Sequence, residues 1–353
     1  MKGQVNLAVA ALLSTGAVLG QGPQAAHEYG DKQGPVTHVP EGYMIIEGDI
    51  VVPKQVRDAP GERATYGTAL WPGGVVPYVF ANNVSSDKQA LAVDAMTHWE
   101  SVANVHFRPR RDDPNYIYVI YALFNASEGV GMSGGRHDIW IRDWNRTYVI
   151  DHELGHALGY WHEHSRSDRD SACSGGPCVR INTENICGDC CAGASCQSQF
   201  AVRREGDEYG PYDFDSVMHY GQCDFSGCPA CPHDRACPDG GVTMTVAPPY
   251  DIQWQNVIGQ RSHLSFWDAR VMSFLYPEDD WRFVDRQCAC FDLGLCTEDG
   301  SFACPYSQFT SGVDNTPLGG TLWILGPGRY TAPGTYTKAM TVRAPLGGVL
   351  LRY

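Results

Sequence analysis

The order of apolar and polar positions divides the 353-residue chain into stretches of different character. Val5 to Leu19 is an apolar run with small polar interruptions, preceded by Lys2 and followed by Gly20. A membrane-spanning helix takes roughly 20 apolar residues, so the run is too short for an anchor. Its layout predicts a signal peptide over residues 1–20, cleaved after Gly20. Residues 21–63 are rich in Gly, Pro, Gln and charge, apart from Tyr43-Met44-Ile45-Ile46. Such a segment is too small to own a core and reads as extended chain leaning on something else.

Beyond it, Val75–Phe80 and Tyr116–Tyr121 are β-branched and aromatic and predict strands; His137–Ile141 predicts a third. Ser86 to Val102 places Leu91, Val93, Met96 and Trp99 at helical spacing, with Ser85 or Ser86 as cap. Further helices are expected over 147–160 and about Ser265–Leu275. Residues 171–240 have little periodicity and many turn residues. From 279 to 353 the chain repeats: Pro317-Leu318-Gly319-Gly320 leads into Thr321-Leu322-Trp323-Ile324, and Pro345-Leu346-Gly347-Gly348 into Val349-Leu350-Leu351-Arg352. The copies are 28 positions apart, a spacing in the range of a solenoid repeat, and Gly-rich turns followed by short β runs predict stacked rungs.

Hydrophobic residues make up 43% and charged residues 19%, which favours a globular chain over a disordered one. The net charge of −14 argues against nucleic-acid or anionic-membrane partners. All 14 cysteines lie at or after Cys173, ten of them within 171–240. In a secreted, extracellular chain they predict disulfides, and the pairs Cys187/Cys190 and Cys228/Cys231 read as disulfide cysteines rather than zinc-ribbon halves. Asn83, Asn125 and Asn145 are candidate glycosylation sites.

The stretch that carries chemistry is His152-Glu153-Leu154-Gly155-His156-Ala157-Leu158-Gly159-Tyr160-Trp161-His162. His152 and His156 are one helical turn apart and face the same way, the spacing at which two imidazoles grip one zinc ion. Gly159 permits the left-handed conformation that ends a helix, so the chain can turn back and deliver His162 as a third ligand. Three protein ligands leave a position for water, the mark of a catalytic site. Glu153 points elsewhere on the helix and suits a general base that activates zinc-bound water for attack on a peptide bond.

The continuation Glu163-His164-Ser165-Arg166-Ser167-Asp168-Arg169-Asp170 resembles the astacin pattern. So do Tyr212-Asp213-Phe214-Asp215-Ser216-Val217-Met218-His219-Tyr220, the opening Leu70-Trp71-Pro72-Gly73-Gly74, and Ile258-Gly259-Gln260-Arg261 with Leu264, Ser265 and Asp268. The resemblance covers about 64–278 and implies an α+β, two-subdomain metzincin domain with a mixed sheet, an active-site helix and a Met-turn. It implies one catalytic Zn2+ on His152, His156 and His162, with Glu153 as base. Met218 would form the floor beneath the metal. Tyr220 would be a displaceable further ligand that then stabilises the oxyanion.

Glu163 would meet the N-terminus of the mature enzyme, released by a trypsin-like protease after Arg63. Ile46-Glu47-Gly48-Asp49 resembles the family's inhibitory segment, in which an aspartate, here Asp49, ligates zinc. Residues 21–63 would then be an inhibitory propeptide and the whole chain a zymogen acting on protein or peptide substrates. Many relatives favour an acidic residue just after the scissile bond. Disulfides of the family that reach into the N-terminal half cannot form here, because no cysteine precedes Cys173. The C-terminal module loosely resembles the opening rungs of parallel β-helix proteins and either binds a surface or substrate or serves as a cap. The alternative function is a non-catalytic adhesion or carbohydrate-binding protein that keeps zinc for stability; its expected mark, loss of Glu153 or of a ligand, is missing.

Overall fold

The computed structural model describes residues 38–54, 70–188, 190–191, 195–203, 208–233, 235–286, 297–302 and 304–352. The expected signal peptide, Arg63, Cys288, Cys290 and Cys296 lie outside these described residues.

A seven-stranded mixed sheet and two helices hold the main core. Its strands are β1 (Tyr43–Ile46), β2 (Ile50–Pro53), β3 (Val75–Phe80), β4 (His106–Pro109), β5 (Tyr116–Tyr121), β6 (Ala126–Glu128) and β7 (Arg136–Ile141), in the order β1-β2-β6-β7-β5-β3-β4. Strands β7, β5, β3 and β4 run parallel; β6 is antiparallel to β7. Tyr116 to Ile120 are buried at every position, as expected of a strand covered on both faces.

Helices α1 (Ser86–Glu100) and α2 (Thr147–Leu158) pack on this sheet and on each other. The buried face of α1 is Ala92, Ala95, Met96 and Trp99. This corrects the expectation from large residues: Val93 is 41% exposed. Small alanines line the buried face, and small residues let neighbouring elements approach closely, so the spacing of bulky side chains misread part of that face.

The segment expected to lean on something else does so as a hairpin. β1 and β2 pair antiparallel with Ile46 opposite Ile50, and β2 adds to the sheet edge parallel to β6. Ile50 and Val52 pack on Val130, while Val51 joins the main core. The tip, Glu47-Gly48-Asp49, turns with positive φ at Glu47 (45°) and Gly48 (76°).

Below the cleft the chain is stapled by short-range disulfides. Cys173–Cys178, Cys191–Cys196, Cys223–Cys231 and Cys228–Cys237 span 5 to 9 residues each. Cys228 and Cys231 are therefore disulfide cysteines with different partners. β8 (Val179–Ile181) and β9 (Met244–Val246) form a small antiparallel pair here. Two more helices follow, α3 (Asp251–Trp254) and α4 (Phe266–Leu275); the second carries a Ser265/Asp268 capping box.

The C-terminal part stacks β10 (Trp281–Val284), β11 (Thr321–Ile324) and β13 (Thr341–Arg343) in one parallel sheet. Strands β12 (Gly328–Thr331) and β14 (Val349–Arg352) form a second. A short helix, α5 (Phe309–Asn315), covers this core. Rungs are present, but the repeated sequences are not successive turns. Thr321 pairs with Thr341 and Gly328 with Val349, so the two copies fall in different sheets. They share a Gly-rich sequence, whereas register is set by which apolar strands stack.

An aromatic cluster joins this part to α4. Phe274 is fully buried, with Trp323 at 5.0 Å and Phe283 at 5.3 Å between ring centroids. Phe274→Ala should cost about 3–5 kcal/mol and detach the C-terminal rungs. Denaturant unfolding together with limited proteolysis checks this; an unchanged midpoint and unchanged cleavage pattern would show that the cluster does not hold the two parts together.

Candidate active site

Helix α2 carries His152 and His156 on one face and ends at Gly159, whose φ is 124°. The N–H of Gly159 donates to the carbonyls of Gly155 and His156, closing the helix, and the chain then returns His162 to the other two, its ring centroid 5.1 Å from that of His152 and 4.6 Å from that of His156. All three histidines are at most 2% exposed. His152 Nδ1 donates to the Val217 carbonyl (2.8 Å) and His156 Nδ1 to the Tyr160 carbonyl (2.7 Å). Those bonds leave Nε2 of each ring as the atom that can bind a metal.

Asp49 completes the cluster from the hairpin tip. Its carboxylate oxygens lie 3.1 Å from His152 Nε2, 3.5 Å from His156 Nε2 and 3.2 Å from His162 Nε2. A tetrahedral zinc ion bound at ~2.1 Å holds its ligand atoms ~3.4 Å from one another. Asp49 Oδ1 and His156 Nε2 are buried with no hydrogen-bond partner among the described residues. The four side chains therefore fit one zinc ion. Burial works to raise the Asp49 carboxyl, but the charge of His162 and the three imidazoles gathered around it hold it well below the usual carboxylate range.

Glu153 is 1% exposed, and its Oε2 has no hydrogen-bond partner among the described residues. Burial first, and the Asp49 charge second, push its carboxyl well above the usual value; Arg261 pulls it back. Arg261 itself is anchored through Nη1 to the carbonyls of His219 (3.1 Å) and Gln260 (2.9 Å).

The Met-turn is tied to α4. Asp268 accepts from Ser216 Oγ (2.6 Å) and from the Val217 amide (2.8 Å), and it also caps its own helix. Met218 is 2% exposed and lies beneath α2. A Cβ at Gly155 would stand 2.7 Å from its sulfur, so this helix position has room only for glycine. Tyr220 stacks on His164 with ring centroids 3.8 Å apart, and its hydroxyl is buried without a partner among the described residues. A Cβ at Gly48 would come within 2.8 Å of that hydroxyl, so the hairpin passes closely over Tyr220.

Of the three sequon asparagines, Asn145 is exposed. Asn83 exchanges hydrogen bonds with the backbone of Tyr121, and Asn125 bonds Asp143 and Arg142. Glu47, Gln199, Arg203 and Arg261 also face or flank the cleft, and motif reading gave none of them a role. Glu47 lay inside the inhibitory segment and Arg261 inside the Ile258–Arg261 match; Gln199 and Arg203 sit outside any motif.

Glu163 accepts from the Asp213 amide (2.8 Å) and from Arg166 Nη1 (3.3 Å). Burial lifts its carboxyl from 4.5 to about 8 against the pull of Arg166 and that amide, and Asp213 and Asp268 add to the rise. The folded chain thus keeps a proton that the unfolded chain gives up above about 4.5. Stability should fall as pH rises from about 4.5 to about 8. Glu163→Gln should flatten that decline in melting temperature, and a pH profile identical to the parent chain's would exclude Glu163 as its source.

Residues 63–277 match the peptidase family described as Astacin. Bone morphogenetic protein 1 of Xenopus laevis is 35% identical over 243 residues, covering 67% of this chain and 29% of that protein. The low choriolytic enzyme of Oryzias latipes is 33% identical over 189 residues, 51% of this chain and 64% of that enzyme. The chain therefore spans under a third of the first relative's length and somewhat under two thirds of the second's. A solved structure of high choriolytic enzyme 1, a hatching-enzyme zinc protease of Oryzias latipes, is 30% identical, covers 59% of this chain and 92% of its own, and superimposes with a TM-score of 0.48. On the strength of the family match across most of its length, the chain belongs to the astacin family of zinc metalloendopeptidases.

Proposed function

We propose that this chain is the latent precursor of a secreted endopeptidase that hydrolyses internal peptide bonds of proteins once the hairpin tip leaves the cleft. The observation that carries this reading is the Asp49 carboxylate, 3.1 to 3.5 Å from the Nε2 atoms of three buried histidines. A single zinc ion held by His152, His156 and His162 would supply Lewis-acid polarisation of the scissile carbonyl and acidify water to a pKa of about 7.

Glu153 takes the proton of the attacking water and passes it to the departing amide nitrogen. Tyr220, released from beneath Gly48, donates its phenolic hydrogen to the oxyanion of the tetrahedral intermediate. Residues 21–63 act as propeptide and 64–278 as the catalytic domain. Cleavage after Arg63 frees an amine, and Glu163, a buried carboxyl in need of a cationic partner, receives it. Latency is then the joint effect of Asp49 at the metal position and the hairpin across the cleft. The alternative, a non-catalytic binding protein, gives no reason for a carboxylate inserted among three histidines beside a buried Glu153.

Casein hydrolysis by the purified precursor, before and after limited trypsin, tests the proposal. Activity should appear only after trypsin, vanish with a zinc chelator, and drop about 10²-fold or more in Glu153→Ala. Asp49→Ala should give a leaky precursor, with part of the activity present before trypsin; unchanged latency would sink the role of Asp49. Clean removal of the propeptide with no activity on casein or on a broad peptide library would sink the endopeptidase reading.

A further inference from the structure

The C-terminal rungs end on a face that nothing covers among the described residues. Every residue of β13 is exposed, and so is β14 after its first position. The rung beneath is closed where this one is open. Leu322 is fully buried, yet its register partner Val342 is 44% exposed; Tyr330 is 3% exposed and its partner Leu351 42%. Val342 and Leu351 share the inward register and lie open because no further rung stacks on them. Leu346, in the turn between the two strands, and Leu350, on the outer face of β14, enlarge the same apolar end.

This end also differs in charge from the rest of the chain. Residues 305–353 hold four basic residues and one acid, a balance of +3 within a chain of −14. The last rung, 341–352, has two arginines and no acid. Arg352 stands two positions from Leu350 on one face of β14, and Arg329 pairs with Leu350 across the sheet, so two guanidiniums flank one exposed leucine. Arg343 and Arg286 are exposed as well, and Arg286 Nη1 donates to the Arg329 carbonyl at 2.5 Å. The nearby acids are set back. Asp279, Asp280 and Asp299 flank β10, and β11 separates β10 from β13. At ~4.8 Å per strand that is about 10 Å from the edge, beyond the ~8 Å over which charges act in physiological salt. Asp285 is turned against the buried Gly326, and Asp314 lies in the last turn of α5, whose carbonyls bind Lys338.

We propose that this end of the rungs docks on an anionic lipid surface, with its leucines at the headgroup boundary and its arginines on lipid phosphates. The contact is peripheral: none of the described helices is long and apolar enough to cross a membrane. The net charge of −14 argues against such a surface only when averaged over the chain; at contact distance the local +3 decides. Two other occupants fit this face less well. A second copy would set the same arginines against each other. An acidic polysaccharide would meet the arginines and leave the leucines in water. A lipid boundary takes both, since apolar burial and attraction to anionic headgroups add. Docking of this kind would hold the peptidase at a membrane and does not depend on the endopeptidase reading above.

Co-sedimentation of the purified full chain with vesicles tests this. Vesicles of equal parts phosphatidylglycerol and phosphatidylcholine should bind it about tenfold or more tightly than phosphatidylcholine alone, and raising salt from about 0.05 to about 0.5 M should release it. An arginine near the surface is worth about fivefold, so Arg343→Gln with Arg352→Gln should weaken binding about 25-fold. Leu350→Ser should weaken it about tenfold and leave the salt dependence as it was. All these side chains are exposed, and thermal melting should show the variants as stable as the parent chain. Equal binding to both vesicles, binding to neither, or undiminished binding by the double arginine variant overturns the proposal. Retention on alginate without vesicle binding would assign the end to an acidic polysaccharide instead. A dimer in sedimentation velocity that Leu350→Ser dissociates would assign it to a second copy, and either result rejects the lipid surface.

Discussion

Asp49 meets three imidazoles whose other ring nitrogens are already committed, two to backbone carbonyls and one to Glu47. Nitrogens and oxygens that converge without donors between them would repel one another or stand unsatisfied in a buried site. Their spacing suits a cation at the centre. The rest of the molecule can be understood as what is needed to keep those four groups together. The hairpin reaches the site because β2 has an edge to pair with at β6; backbone hydrogen bonds set its depth, and the apolar faces of Ile50 and Val52 resist its sliding.

The metal-side scaffold is fixed from behind. Val217, whose carbonyl orients His152, is itself held through its amide by Asp268, and Asp268 caps α4. A buried carboxylate thus links the helix that carries the C-terminal aromatic cluster to a histidine on α2. Two glycines mark close approaches in the same region. Gly155 lets Met218 pass under α2, and Gly48 lets the hairpin cross Tyr220 and Phe225.

The lower half of the cleft is built differently from the upper half. The sheet side relies on a continuous apolar core, whereas residues 173–237 rely on local disulfides and on turns. Each disulfide closes a short loop, so it constrains its own neighbourhood and leaves the sheet side untouched. Arg203 and Gln199 belong to this stapled half, and they grip the hairpin tip from below while the sheet grips its strands from the side.

The sequence by itself determined the site's chemistry and the local elements. The spacing of His152, His156 and His162 with a glycine between the last two specifies a helix, its end and a return, because helical geometry and the φ freedom of glycine are local properties. The strands at Val75–Phe80 and Tyr116–Tyr121 and the helix over about Ser265–Leu275 were legible for the same reason. The approach of Asp49 to the metal position was suggested by its resemblance to an inhibitory segment. Only the tertiary structure decided where partners lie far apart along the chain. It showed that small alanines line the buried face of α1, that the two Pro-Leu-Gly-Gly copies enter different sheets, and that Glu47 is gripped by an arginine 156 residues away. Those outcomes depend on which apolar surfaces stack and which buried charges find partners, and neither is encoded in the spacing of neighbouring residues.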